Sequence, residues 1–139
     1  MDDIIQRWAA DLPAYARTIP TPMTVTGVCD KPSDPPWKAE AAATLEPSER
    51  FEVIDQVAPS DDLKSVKFPE SFVFGLLDAL VTCPGRPILK VKITLIRAVY
   101  DPIESTVSAF RVAGMDAGRQ VCAAVEEADR QRKERRRET

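Results

Sequence analysis

Histidine is absent from this chain of 139 residues, and with it go the commonest general base and the commonest metal ligand. Glycine is scarce, at five residues, and none of the five begins a G-x-x-x-x-G-K-[ST] run. Gly85, after the proline of a turn, is followed by Arg86 and Pro87. A backbone cradle for nucleotide phosphates is therefore excluded, and nucleotide hydrolysis with it. Cys29, Cys83 and Cys122 are odd in number and far apart, which fits neither a disulfide framework nor a close-spaced zinc site. Buried thiols are expected. No segment approaches the ~20 apolar residues of a membrane-spanning helix. The opening Met1–Trp8 lacks the basic start and apolar run of a secretory signal, so a cytoplasmic protein is expected, with no membrane partner.

What is present is ordinary for a globular domain: 44% apolar and 29% charged residues, in a length that makes one domain and buries roughly two-thirds of the unfolded chain's surface. Charge is unevenly placed. Arg130, Arg132, Lys133, Arg135, Arg136 and Arg137 against Glu134 and Glu138 give the last ten residues +4, so the preceding 129 carry −7 to reach the total of −3. The body is acidic and the tail basic.

Along the chain, Asp2 or Asp3 caps a short helix with Ile4, Ile5, Trp8 and Leu12 on one face, ending near Pro13. Pro20 and Pro22 enforce extended chain, and Met23 to Val28 alternates as a strand. Residues 29–36 hold three prolines and two aspartates, which cannot pair as a central strand, so they read as a loop. Trp37 to Leu45 places Ala39, Ala41, Ala43 and Leu45 on one parity; alanine favours helix, but the period of two favours a strand. Phe51 to Val57 reads as a third strand, antiparallel to the second across a short turn at Glu46-Pro47-Ser48.

Residues 58–67 are a polar linker. Pro69 with Glu70 and Ser71 starts a helix, and Phe72, Leu76, Ala79, Leu80 and Cys83 supply its stripe. Gly75 falls mid-helix, where it costs ~1 kcal/mol against alanine, so a close approach of another backbone is expected there. Pro84-Gly85 ends the helix. In the stretch from Lys90 to Gly114, Val91, Ile93 and Leu95 alternate with Lys92, Thr94 and Ile96 as a strand. Asp101-Pro102 breaks it, Ser105 or Thr106 caps a new helix, and Phe110, Ala113, Ala117, Val121, Ala124 and Ala128 form that helix's stripe. The order is β-β-β-α-β-α behind an N-terminal helix, and its simplest packing is an α/β (α+β) two-layer sandwich.

Several blocks of the chain resemble domain IV of elongation factor G and its relatives, among them the ribosomal-protection proteins. The family pattern K-V-x-L, then Y-H-x-V-D-S-S, then A-F-x-x-A is matched by Lys92–Leu95, by Tyr100-Asp101-Pro102-Ile103-Glu104-Ser105-Thr106 and by Ala109–Ala113. Ala14-Tyr15-Ala16-Arg17-Thr18-Ile19 resembles the family's A-Y-R-E-T-I opening, and Phe72–Leu80 its V-x-x-G-I-x-x-A-L helix. The resemblance divides the chain into an N-terminal helix or docking segment (1–13), a domain IV-like body (14–127) and a basic helix end or tail (128–139).

The resemblance implies a ribosomal-protein-like sandwich whose βαβ unit crosses over with left-handed sense, against a rule obeyed in ~98% of cases. It also implies a tip, formed by the 27–37 loop and the 97–105 corner, that contacts the ribosome or structured RNA in connection with translation. Lys31, Trp37, Lys38, Arg97, Tyr100 and Asp101 are the tip candidates; Arg130, Arg132, Lys133, Arg135, Arg136 and Arg137 are candidates for phosphate contact from the tail. Asp101 stands where the family has histidine, and Cys29 to Pro36 replaces a glycine-rich G-G-x-G-Q loop, so the tip is stiffer and more anionic than the family's. The alternative is a protein-interaction module that kept the fold and lost RNA binding, with a protein partner or self-association. Paired carboxylates at Asp61-Asp62 and Asp101/Glu104 are the residues an enzyme would use, but adjacent aspartates in a polar linker are ordinarily turn residues. The expected role is non-catalytic, without cofactor, metal or nucleotide.

Overall fold

The computed structural model describes residues 16–31, 37–57, 68–83, 87–99 and 106–138. The expected helix over residues 1–13 and the linker over 58–67 lie outside them. Four strands, β1 (Met23–Lys31), β2 (Trp37–Pro47), β3 (Glu52–Asp55) and β4 (Val91–Val99), form one sheet in the order β1-β2-β4-β3. Two helices, α1 (Phe68–Val81) and α2 (Val107–Glu138), pack on one face of it. The molecule is a two-layer α/β sandwich.

The period of two decides which side of each strand is covered. Val25 and Cys29 of β1, Ala39, Ala41, Ala43 and Leu45 of β2, and Val91, Ile93 and Leu95 of β4 are buried under the helices. Thr24, Thr44 and Thr94 align across the three strands on the open face. The alanines of β2, poor strand formers by propensity, are explained by the helix above them. At Gly27 of β1 a Cβ would lie 1.9 Å from the Ala113 carbonyl oxygen of α2, so α2 rides almost on the sheet backbone and larger side chains beneath it would overpack. β1 runs on through Cys29, Asp30 and Lys31, the first three residues of the expected 29–36 loop. These three pair with Ala39, Lys38 and Trp37, because the prolines that prevent pairing begin only at Pro32.

The expected pairing of β3 is corrected. β3 is not antiparallel to β2; it pairs parallel with β4. Both sides of β2 are already taken, by β1 and by β4. The chain therefore turns after β2, where the Ser48 amide donates to the Lys90 carbonyl (3.1 Å), and continues past the start of β4 to its far side.

That pairing makes β3–α1–β4 a crossover, and its hand follows from L-chirality. Seen from the side to which a residue's side chain points, with the strand running upward, the residue's own N–H and C=O point right. Leu95 points under the helices, and its carbonyl accepts from the Gln56 amide just past β3 (2.9 Å). Viewed from the helix side, β3 therefore lies to the right of β4. Independently, Thr26 and Val28 lie on the opposite face from the inward Val25 and Cys29, and they turn a carbonyl and an amide off the sheet toward α2. This puts β1 at the left edge. From β3 the chain passes in front through α1 and returns one place to the left in β4, a left-handed crossover, as the resemblance implied.

Glycine sets the helix pairing. A Cβ at Gly75 would meet the Arg111 carbonyl oxygen at 1.9 Å, and one at Gly114 the Phe72 carbonyl oxygen at 2.0 Å. The expected close approach at Gly75 is thus helix on helix. Higher residue numbers on α1 meet higher numbers on α2, so the helices run in the same direction. Phe68 and Phe110 stack with ring centroids 4.6 Å apart. Buried Ser71 donates to the Val107 carbonyl (2.5 Å), joining the two helix starts. Of the two capping candidates, Thr106 is in view: its hydroxyl accepts from the Ala109 amide (3.0 Å). The buried stripe of α2 departs from the expected one at its end. Cys122 and Val125 are buried, whereas Ala124 is exposed and Ala128 is half-buried. The contact with α1 turns the stripe toward the Gly114/Gly118 side.

Candidate functional site

The strand ends that lead into the tip segments lie at one end of the sheet. Lys31 closes β1 directly opposite Trp37, the first residue of β2, and Val99 at the end of β4 lies opposite Glu40. The end of the β1–β2 pair and the end of β4 therefore lie at the same end of the sheet. Tyr100 and Asp101 follow Val99 at once and lie outside the described residues; Lys31 and Trp37 are placed by backbone register alone.

Arg97 reaches this end through an irregularity. Ala43 pairs with Leu95 but Ala42 pairs with Arg97, so Ile96 is an extra residue on β4. Such a bulge shifts the parity beyond it, and Arg97 and Val99 fall on the open face where strict alternation would have turned them under the helices. Arg97 donates to Glu40 at 2.9 Å, and both side chains are well exposed. An ion pair of that kind is worth ~0 to 1 kcal/mol and is exchangeable for another anion. Lys38, opposite Asp30 in register, is exposed. Lysine and arginine thus alternate with Asp30 and Glu40, and the end of the sheet is mixed in charge.

The tail is a continuation of α2. Its last buried residue is Val125, and from Arg130 to Arg137 every residue is exposed, so the basic segment stands off the sandwich as helix. At its base Arg17, from the segment that pairs beside Ile88, donates to Asp129 (3.2 Å). Arg132 also pairs with Asp129, and Arg130 pairs with Glu127. The hydrogen bond from Arg130 holds the Glu127 carboxyl below its ordinary range, and Glu127 in turn raises Arg130. At 100° per residue, Arg132 and Arg136 form one row and Lys133 and Arg137 a second beside it, together with Arg130 covering an arc of about 160°. Like charges four residues apart repel by ~0.2 to 0.5 kcal/mol, partly offset by the helix dipole at this C-terminal end. A polyanion along the rows would relieve the repulsion.

Among the described residues, Lys38 and Arg97 lie near one end of the sheet and the tail cations lie along the end of α2, two separate groups on different elements. Two arrangements escaped sequence reading. Asp116 and Gln120, one turn apart on α2, accept from the Val28 amide (3.0 Å) and donate to the Thr26 carbonyl (2.7 Å), so the open edge of β1 is covered by side chains. Their spacing of four was the available signal. The second is the nearness of Cys83 to Cys122, which depends on how the end of α1 meets α2. Among the described residues no cluster of three or more cysteine, aspartate or glutamate side chains could hold a metal ion, and no helix is long and apolar enough to cross a membrane.

No protein-family model matches the chain, and no curated protein matches it. Its fold is similar to that in a crystal structure of a protein from Thermus thermophilus, with a TM-score of 0.68 and 19% identity. The match covers 83% of this chain and 18% of that one. The chain thus corresponds to a segment of about a fifth of a longer protein, and the likeness establishes the fold.

Proposed function

We propose that this chain is a domain IV-like module of the elongation factor G type that binds the ribosome or structured RNA, without catalysis, in a role connected with translation. The observation that carries the reading is the left-handed β3–α1–β4 crossover, rare among folds, built from the same residues that carry the resemblance. Phe72, Leu76 and Leu80 of α1, Ile93 and Leu95 of β4, and Phe110 and Ala113 of α2 all lie buried in the one core. Fold alone does not specify function; the cationic rows at the end of α2 add a surface of matching chemistry. Tip and tail would contribute differently: the tip by shape and by Lys38 and Arg97, the tail by counterion release on phosphates.

The test is filter binding of the full chain to small and large ribosomal subunits across salt concentrations. Binding at low salt that weakens as salt rises is the expected result. No retention of either subunit at low salt overturns the reading.

A second reading is favoured by one observation at the same end of the sheet. Val28 and Val99 flank Glu40 in a single cross-strand row and are 43% and 50% exposed. Two exposed valines around a carboxylate suit a protein surface better than a phosphate backbone, and a protein partner or self-association would cover them. Sedimentation of the chain over a wide concentration range separates the two, since self-association predicts a dimer where the first reading predicts a monomer.

A further inference from the structure

Cys83 and Cys122 are brought together by the glycine-mediated crossing of the two helices. Ala79 of α1 sits against Gly118 of α2, where a Cβ on the glycine would lie 2.4 Å from that of Ala79. Cys83 is four residues beyond Ala79, and Cys122 is four residues beyond Gly118. Cys122 is one further turn along α2, and Cys83 lies just past the end of α1, where the Thr82 amide still donates to the Asp78 carbonyl (3.3 Å), so both cysteines border the same groove between the helices. The side chains agree with this placement. The Cys122 thiol donates to the Ala79 carbonyl (3.5 Å), and the Cys83 side chain is near enough to raise its titration. The third cysteine, Cys29, lies in β1 among the sheet's buried residues.

The pair is both shielded and reachable. Cys83 and Cys122 are 6% and 8% exposed, yet both line an open groove of about 360 Å³ between the helices, with Asp78, Met115, Arg119 and Glu126 on its walls. A small uncharged oxidant fits such a groove. The Arg17 guanidinium donates to the Cys83 sulfur at 3.5 Å, a cation placed to balance negative charge that develops on that atom. Burial, with the Cys83 side chain beside it, pushes Cys122 up to about 12, so it stays a protonated thiol. The two sulfurs therefore differ in kind: one faces a cation and the other keeps its proton.

We propose that Cys83 and Cys122 are a redox-modifiable pair that a small peroxide converts to a disulfide. In the first step the Cys83 sulfur, as thiolate, attacks one peroxide oxygen. The O–O bond breaks, the sulfur is oxidised to sulfenic acid, and the departing oxygen leaves as water after taking a proton. In the second step the Cys122 sulfur attacks the Cys83 sulfur and expels hydroxide, which leaves as water with the proton of the Cys122 thiol. Two thiols and one hydrogen peroxide give one disulfide and two waters. The bond fastens the end of α1 to the middle of α2 beside Arg17, which also holds Asp129 at the base of the basic helix end.

The experiment treats the folded full chain with hydrogen peroxide, blocks residual thiols, and reads intact mass and a non-reduced peptide map. The expected result is loss of the mass of two hydrogens, one cross-linked peptide joining Cys83 to Cys122, and reversal by a dithiol reductant. C29S retains the cross-link; C83A and C122A each lose it. R17Q slows its formation several-fold with the same product. Since the map is made on the unaltered chain, a variant that fails to fold leaves the test intact. Oxidation that yields no Cys83–Cys122 peptide while circular dichroism shows the fold intact overturns the proposal, as does a linkage through Cys29 or only between molecules.

Discussion

At the scale of single residues, packing decides more than charge does. Gly27 is the sharpest case, because the Ala113 carbonyl oxygen occupies the place of its missing Cβ. Gly27→Ala must push α2 off β1, and a loss of about 3 kcal/mol is expected in urea unfolding, at the upper end of ordinary overpacking. Leu76 and Phe72 are fully buried, and Leu76→Ala should cost ~2 to 5 kcal/mol by the same measurement. Cys122 gives a pH dependence. Its thiol titrates near 9.0 ordinarily and at about 12 in the fold, so the folded state holds the proton more tightly. That contribution is fully present below pH 9 and is lost as pH rises toward 12. Unfolding curves of the chain and of C122A should therefore converge across that window, the variant lacking this part of the decline. The core residues were legible in the sequence because apolar spacing registers burial directly. Gly75 was legible as a contact because a mid-helix glycine is costly without one. The nearness of Cys83 to Cys122 was not, since it depends on how the end of α1 meets α2.

At the scale of elements, the strands and helices were read correctly where one period dominated, and incorrectly where pairing partners had to be chosen. Periodicity says that β3 is a strand but not which neighbour it takes; that choice belongs to β2, whose two sides are filled by β1 and β4. The bulge at Ile96 was equally hidden, because one extra residue leaves the apolar alternation before it intact. The edge of β1 is where the pairing of elements is most exposed to test. Replacing Asp116 or Gln120 by alanine removes a hydrogen bond worth ~1 kcal/mol and bares backbone that can pair with another chain. Amide exchange at Val28 should accelerate in D116A, with little change at Ile93 in the sheet centre. At the start of α2, Thr106→Ala removes the cap on the Ala109 amide and should lower stability by about 1 kcal/mol. The end of α2 behaves oppositely. Nothing beyond Val125 is buried up to Arg137, so a chain ending at residue 129 should keep its unfolding midpoint in urea nearly unchanged.

At the scale of the whole molecule, a rare crossover is joined to two surfaces at different places: a mixed-charge tip at one end of the sheet and a helix end with cations in two rows. The order of elements and the two-layer packing could be read from the sequence; the hand of the crossover came from the resemblance, and the hydrogen bonds of Leu95, Thr26 and Val28 fix it. How the tip presents Tyr100 and Asp101 lies outside the described residues. We propose that this module binds the ribosome or structured RNA through phosphate-directed cations as well as shape. The most direct measurement is the salt dependence of binding to small ribosomal subunits, for the full chain and for a variant with Arg132, Lys133, Arg136 and Arg137 replaced by glutamine. The full chain is predicted to bind at low salt with a negative log–log slope. The variant's slope is predicted to be shallower, by up to ~0.9 for each duplex phosphate that it no longer neutralises. Equal slopes for the two proteins, or no binding by the full chain at low salt, would contradict the claim.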